Sequence, residues 1–516
     1  MSNNNNWTDG YVADLNYTIG YYRELSPSLL QYMLLLKGIA PPHALNEKFN
    51  YFEMGFGQGL SLNVNALTHP TGTFWGNDFN SEHVNFAEQL AKAGGTSVNL
   101  CDDSFEELLE RTYPAFDYIT LHGIWSWISE TNKKAIVKFI RKNLKIGGAV
   151  YISYNALPGW ATTMPLRQLM KYHEQASGEM GRTLEQRIRE AMQFTRKLQA
   201  SGAAYFKHSP TIEKSLEHME KQPTSYLAHE YFNRDWTPMY FNEVAEYMAG
   251  AKLTFAASAN LADHIPNMVV SPEMQAILDS IKQPEYRETV RDYMLNNTFR
   301  KDVFVRGARR ITDEEATPIL ESMRFGLLVS PERTSYSFST NARKIDLQKE
   351  IYEPIVDTLH KHGQPLTLKE LKAHPVTGKL KPVFLQQALT LLASMGNLSI
   401  HSGEVASDKK TKSFNKRLAK LAETSDQIHF MVAGKAGVAV QMDRIEQLAL
   451  QSANEGKTPE QTITKIWKLL KSANVRLIKD GKVLNDEKEN TDHLTAIITK
   501  FYHDKLPILT AVGAST

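Results

Sequence analysis

The sequence predicts an α/β fold: a doubly wound parallel sheet with a helical insertion, followed by C-terminal α+β modules. Three observations carry that expectation. Between residues 49 and 154, short apolar segments alternate with amphipathic ones at the pitch of strand–helix units. The first of them runs into a glycine-rich loop, Tyr51–Leu62 (YFEMGFGQGLSL), in which Glu53, Gly55, Gly57 and Gly59 precede an apolar helix start. The second ends in Asp78, 19 residues beyond Gly59, where an open sheet places a carboxylate for ribose hydroxyls.

In chain order, Phe49–Glu53 reads as strand one and Leu60–Leu67 as its helix. Thr73–Asn77 is strand two, and Ser81–Ala93 the next helix. Ser97–Cys101 is strand three, followed by the acidic turn Asp102-Asp103-Ser104 and a helix over Phe105–Thr112. Phe116–His122 (FDYITLH) suits a fully buried fourth strand. Asn132–Leu144 is a helix closed by Gly147-Gly148, and Ala149–Tyr154 is strand five. The rhythm then breaks. Met164–Ala176, Thr183–Ala200 and Thr211–Lys221 read as helices of an insertion over about 161–230. Tyr240–Ala249 is a helix leading to the strand Leu253–Ala257, and Arg300–Arg306 (RKDVFVR) alternates charged and apolar residues like an antiparallel edge strand.

The core is thus expected over 1–310. From 311 to 405, Leu347–His360, Thr367–Ala373, Phe384–Met395 and Leu398–His401 spell three helices and a strand, a winged-helix-like pattern. Ser407–Lys420 carries six basic residues and reads as a linker into a final α+β module, 406–516.

Composition narrows the function classes. A chain of 516 residues exceeds one ordinary core, and a net charge of +2 predicts no polyanion partner. The single Cys101 excludes an internal disulfide or a cysteine–zinc cluster and points to a reducing, cytoplasmic location. The start, MSNNNNWTDGY, has neither part of a secretory signal. The longest apolar run, Leu29–Leu36, is interrupted by Gln31 and is too short for membrane insertion. No metal-ligand constellation such as HExxH is present, so no metal is expected.

The glycine loop has a rival reading as a dinucleotide cradle. That fingerprint places its third glycine or alanine three residues after the second, and Leu60 stands there instead. Acid-x-Gly-x-Gly-x-Gly is the form that resembles class I methyltransferases. With a sulfonium cofactor, S-adenosylmethionine, each acid has a task. Glu53 orients the loop and offsets the cationic end, while Asp78, with Phe79 beside it, accepts the ribose hydroxyls in charge-assisted bonds. Asp103 or Asp102 accepts the adenine amine, with Ser104 in the turn and Phe105 beside the ring; the same turn also suits a helix N-cap.

Strand four ends in His122-Gly123-Ile124-Trp125-Ser126-Trp127, and strand five in Tyr154-Asn155-Ala156-Leu157-Pro158-Gly159-Trp160. Strand ends of this kind line the ligand crevice. His122, Trp125, Tyr154 and Asn155 are therefore catalytic candidates, and His122 also borders the cofactor. The alternative for His122 is a packed histidine, and for both tryptophans core packing. Tyr17, Tyr21 and Tyr22 of the tyrosine-rich Tyr11–Tyr22, with Trp127 and Trp160, are acceptor-side candidates, and Trp125 and Trp127 also suit cation–π contact with a methylated ammonium.

Taken together, Tyr21-Tyr22-Arg23-Glu24-Leu25-Ser26-Pro27, the GFGQG loop, HGIWSW and SYNALPGW resemble bacterial methyltransferases that carry a methyltransferase regulatory domain. The best-known relatives are rickettsial protein lysine methyltransferases that modify outer-membrane proteins. The resemblance is strong over roughly residues 10–160, looser through Tyr293–Arg306, and fades beyond. It implies a Rossmann-like methyltransferase core, a helical region that mediates homodimerisation, and C-terminal modules that hold a protein substrate. The leading expectation is N-methylation of protein lysines. Rivals are methylation of a sugar, lipid or small metabolite, and a regulatory protein acting through the winged-helix-like segment. Nucleic-acid binding is not expected, because Phe384–Met395 carries no Lys or Arg.

Overall fold

The computed structural model describes residues 19–177, 181–208, 210–340 and 343–516. Its centre is a seven-stranded sheet in the order β3-β2-β1-β4-β5-β7-β6. The strands are β1 (Phe49–Met54), β2 (Gly72–Asn77), β3 (Val98–Cys101), β4 (Phe116–Leu121), β5 (Leu144–Asn155), β6 (Leu253–Ser258) and β7 (Phe299–Arg306). β1 to β5 pair in parallel, and β7 runs antiparallel to both of its neighbours. β1 and β4 are buried almost throughout, which is why both read as continuous apolar runs.

The helices α1 (Pro27–Leu36), α2 (Leu60–Thr68) and α3 (Ser81–Gly94) lie close to the expected bounds where they were expected. Asn80 caps α3 by accepting the Glu82 N–H, and Gly95, left-handed, closes it.

Several expectations need correction. Arg300–Arg306 is not an edge: β7 lies between β5 and β6, and β6 is the edge. Its charged residues turn inward. Buried Arg300 pairs with Asp302 at 2.8 Å, Asp292 at 2.7 Å and Glu288 at 3.0 Å. The alternation therefore records a buried ion network rather than a solvent face. Gly147-Gly148 does not close a helix; the helix ends at Asn143 and β5 starts at once, with a register shift against β4. The helix expected over Phe105–Thr112 is a single turn, Glu107–Glu110. Ser407–Lys420 is not a linker but part of the helix Asp408–Ala422. Phe414, Leu418, Ala419 and Ala422 form its buried stripe, packed with Leu60, Val64 and Leu90 of the sheet's helices, and Arg417 Nη2 donates to Gln89 Oε1 at 2.9 Å. Six basic residues on the other side concealed that stripe.

The inserted helices Met164–Ala176, Leu184–Ala200, Pro210–Glu220 and Thr224–Tyr231 have an apolar cluster of their own, built on Leu166, Ile188, Met192 and Leu216. The segment after residue 311 forms the expected three helices, but its small sheet is centred on an upstream strand, Arg324–Leu327, between Leu366–Thr367 and Leu398–His401. Its third helix, Pro382–Ser394, packs into the core that also holds α1, and Tyr32 Oη lies 2.7 Å from Thr390 Oγ1. Arg23, in the strip preceding α1, donates to the carbonyls of Ala393 and Ser394 at that helix's C-terminus. No helix among the described residues is long and apolar enough to cross a membrane.

Candidate active site

The loop between β1 and α2 turns through three left-handed glycines, Gly55, Gly57 and Gly59. A Cβ on Gly59 would stand 2.5 Å from Ala87 of α3, and one on Gly55 would stand 2.9 Å from Ile124. Those two glycines answer to packing. A Cβ on Gly57 would meet nothing within 4 Å, so this is where the loop faces open space that a ligand can fill. α2 begins directly after Gly59 with no side-chain cap, which leaves its first N–H groups for a bound partner.

Asp78, 5 % exposed, is held from three sides. Gly57 N–H donates to Oδ2 at 2.8 Å, Asn80 N–H to Oδ1 at 3.1 Å, and His83 Nδ1 lies 3.0 Å from Oδ1. The carboxylate thus ties the second acid to the glycine loop, with a lone pair remaining on Oδ2. Phe79, next in chain, is half-buried.

Glu53 is 4 % exposed, and its Oε2 has no hydrogen-bond partner among the described residues. Burial pushes its carboxyl up to about 8. An orphaned buried acid beside an open glycine cradle is the complement of a cationic ligand.

After β3, Arg111 ion-pairs with Asp103, its Nη2 donating to Oδ1 at 2.6 Å. Asp102 is exposed and accepts only the Ser81 hydroxyl, at 2.7 Å. Of the two acids, Asp102 is therefore the freer acceptor for an exocyclic amine. The cap of the following turn is Ser104, which accepts the Glu107 N–H at 3.3 Å, rather than either aspartate. Phe105 packs partly buried against the neighbouring core.

His122 follows β4. Its Nδ1 lies 2.8 Å from Tyr151 Oη and 3.3 Å from Ser153 Oγ, which also accepts the Gly123 N–H at 2.8 Å. Burial holds the imidazole down to about 3, so the ring is neutral. Tyr22 stacks on it at 3.8 Å, and Phe299 meets it edge-on at 6.0 Å. Ser153 stands opposite Lys301 across β5 and β7, and Lys301 Nζ donates to Glu24 Oε1 at 2.7 Å.

Other expected residues sit elsewhere. Trp125 is 0 % exposed and packs against Tyr247 in the core, so it cannot touch a substrate. Tyr154 is buried too; its hydroxyl donates to Asp302 Oδ2 at 2.8 Å and belongs to the Arg300 network. Tyr21 turns away from His122 and meets Phe430 of the C-terminal module edge-on at 5.8 Å. Tyr17 lies outside the described residues. Trp127 and Trp160 meet through Trp236, at 6.3 and 5.1 Å, and neither ring contacts His122. Arg167 lies 4.4 Å over the ring of Trp236, which stands between the two. Asn155, 6 % exposed at the end of β5, keeps an Nδ2 without a partner among the described residues.

Glu24, Lys301 and Phe299 were not singled out, although Glu24 lies within the Tyr21–Pro27 motif and the other two within Tyr293–Arg306; the pairing of β7 with β5 and the folding back of the N-terminal strip bring them to His122.

Comparison with known proteins bears on the ligand. Residues 45–233 match a methyltransferase domain model, and 223–306 match a predicted methyltransferase regulatory domain. An uncharacterized protein of Synechocystis is 38% identical over 513 residues, covering 99% of this chain and 100% of that one. One from Rickettsia prowazekii is 26% identical over 358 residues, 66% of this chain and 61% of the relative. The solved structure of PKMT2 from Rickettsia typhi in complex with AdoHcy superposes with a TM-score of 0.68 at 20% identity, over 94% of this chain and 98% of that one. The fold is therefore Rossmann-like.

Proposed function

The chain belongs to the methyltransferases that carry a predicted methyltransferase regulatory domain, and on that premise we propose that it methylates lysine side chains of a protein substrate. The observation that carries the lysine reading is Glu24 beside the Tyr22–His122 stack. It is a part-buried carboxylate, its side chain 14 % exposed, that already holds the ammonium of Lys301 near the end of β4. Burial pushes its carboxyl up, but Lys301 and Arg23 outweigh burial and hold it below the usual range, so it is ionised and fit to receive a cation. The likeness of fold to the rickettsial protein lysine methyltransferase PKMT2 supports the same reading.

When bound, S-adenosylmethionine supplies an electrophilic methyl group on a sulfonium. Gly57 leaves room for its body, Glu53 faces the cationic end, Asp78 takes the ribose hydroxyls, and Asp102 takes the adenine amine. Transfer to nitrogen is an in-line displacement that needs the amine aimed and uncharged, so an ammonium docked at Glu24 first gives up its proton to water. The neutral His122 ring, with the Tyr22 and Phe299 faces, makes the low-polarity surroundings that favour an uncharged amine. Asn155 Nδ2, buried and unpaired among the described residues, lies at the same end of the sheet to orient the acceptor.

Incubation with methyl-labelled cofactor and a bacterial lysate tests the assignment. Label on lysine in hydrolysed protein is the expected result. Label confined to lipid, sugar or the low-molecular-weight fraction would replace the acceptor while keeping the enzyme class.

A further inference from the structure

A cavity of about 640 Å³ lies between the N-terminal strip and the C-terminal module, and the transfer chemistry above leaves it without a role. Tyr21, Arg23 and Glu24 line its inner side. Ala439, Val440 and Gln441, from the strand Val438–Gln441, line another, and Asn397 a third. That strand pairs on one side only, with Phe430–Ala433.

In an antiparallel ladder, alternate residues turn both backbone groups to the partner and the others turn them away. Met442 N–H donates to the His429 carbonyl, so Val440 and Val438 face the partner strand while Ala439 and Gln441 face outward. The Gln441 carbonyl agrees, since it accepts Lys505 Nζ from the open side at 3.0 Å. The Gln441 N–H then points along the cavity edge with no hydrogen-bond partner among the described residues. Asn397, 6 % exposed, likewise keeps its Nδ2 without one. Neutral amide donors on an open strand edge complement peptide carbonyls. At the inner end stands Glu24, and Tyr22 of the same strip stacks on His122.

Resting on the protein-lysine reading, we propose that this cavity seats the acceptor segment as an extended strand added to the Val438–Gln441 edge, with Asn397 bonding its backbone and Glu24 receiving the lysine ammonium. Backbone pairing gives affinity with little demand on the flanking sequence.

The test uses the full chain and short blocked peptides with one central lysine and mixed flanking residues. Methyl incorporation is measured against peptide concentration for the wild type, Gln441→Pro and Asn397→Leu, with S-adenosylhomocysteine binding followed by calorimetry. Proline at 441 removes an outward N–H and leaves the ladder to Phe430–Ala433 intact. Each variant is expected to raise KM about tenfold, the loss of one hydrogen bond with its partner left unsatisfied, while kcat and S-adenosylhomocysteine affinity hold. Wild-type KM and kcat in both folded variants would overturn the cavity assignment alone. No incorporation into peptide by the wild type would overturn the protein-lysine reading along with it. Should Gln441→Pro fail to fold, Asn397→Leu decides the matter. Dimers of the wild type that dissociate in Gln441→Pro would give the edge to a second copy of the chain and overturn the proposal.

Discussion

Tyr22 stacks on His122 with ring centroids 3.8 Å apart and planes 30° from parallel. One ring comes from a strip preceding the first helix, the other from the end of β4, so the N-terminal segment packs directly on that strand end. Such a pair contributes about 0.5–1.5 kcal/mol beyond simple burial. Tyr22→Phe should keep near-normal turnover, whereas Tyr22→Ala should lower kcat about threefold to tenfold. Steady-state kinetics with labelled cofactor measures the difference, and equal loss in both variants would locate the effect in the hydroxyl instead.

Asp78 ties the glycine loop to the end of β2, because its carboxylate accepts the Gly57 and Asn80 N–H groups. Asp78→Ala should weaken cofactor binding by about 2–3 kcal/mol, the scale of lost charged hydrogen bonds, and should lower thermal stability too. Calorimetric titration with S-adenosylhomocysteine checks the first effect and a melting curve the second. Unchanged binding would remove Asp78 from the site.

Glu53 makes a signed pH prediction. Its carboxyl is raised in the folded chain from 4.5 to about 8, so the folded state holds a proton that the unfolded state releases. The contribution is fully present below about pH 4.5 and is lost as pH rises toward 8. Glu53→Gln, always neutral, should flatten that part of the stability curve. Urea melts at several pH values compare the two proteins; a wild-type curve parallel to that of Glu53→Gln would contradict the burial argument. A cationic ligand should draw the proton off, so cofactor affinity should rise with pH over the same range in the wild type alone.

Arg300 neutralises a crowded interior. Asp302 and Asp292 are fully buried around it, and Asp292 is already pushed up to about 6 by burial. Arg300→Met should destabilise the chain by about 3–5 kcal/mol, since it strands buried acids without a counter-charge. Denaturant unfolding measures it. Adding Asp302→Asn to that variant should recover part of the loss.

The spacing of the acids is informative on its own. Asp102 is exposed, while Asp103 is bound to Arg111, so Asp102→Asn should weaken cofactor binding more than Asp103→Asn. Parallel calorimetric titrations of the two variants decide the order.

Much of the core was legible because parallel strands buried on both faces leave nearly continuous apolar runs, as in Phe116–Leu121. The loop was legible for a different reason. Gly55 and Gly59 sit where a side chain would strike Ile124 or Ala87, and Gly57 where it would fill the cradle. Two of the misreadings share one cause. Arg300, Asp302 and the basic face of Asp408–Ala422 are charged residues on elements that are partly or wholly buried, and charge was taken for exposure. Trp125 and Tyr154 failed for the complementary reason: they are aromatic residues near a strand end, but their side chains point into the core.

By itself the sequence determined the sheet, the glycine loop and the order of acids at the strand ends, Glu53, Asp78 and the pair Asp102-Asp103, all local features that a few neighbouring residues specify. Only the tertiary structure decided which aromatic ring meets His122, that Lys301 reaches Glu24, and that Gln441 presents an open edge. Those relationships join segments tens to hundreds of residues apart. Their geometry depends on how the packed elements close on one another, and no local pattern of residues encodes it.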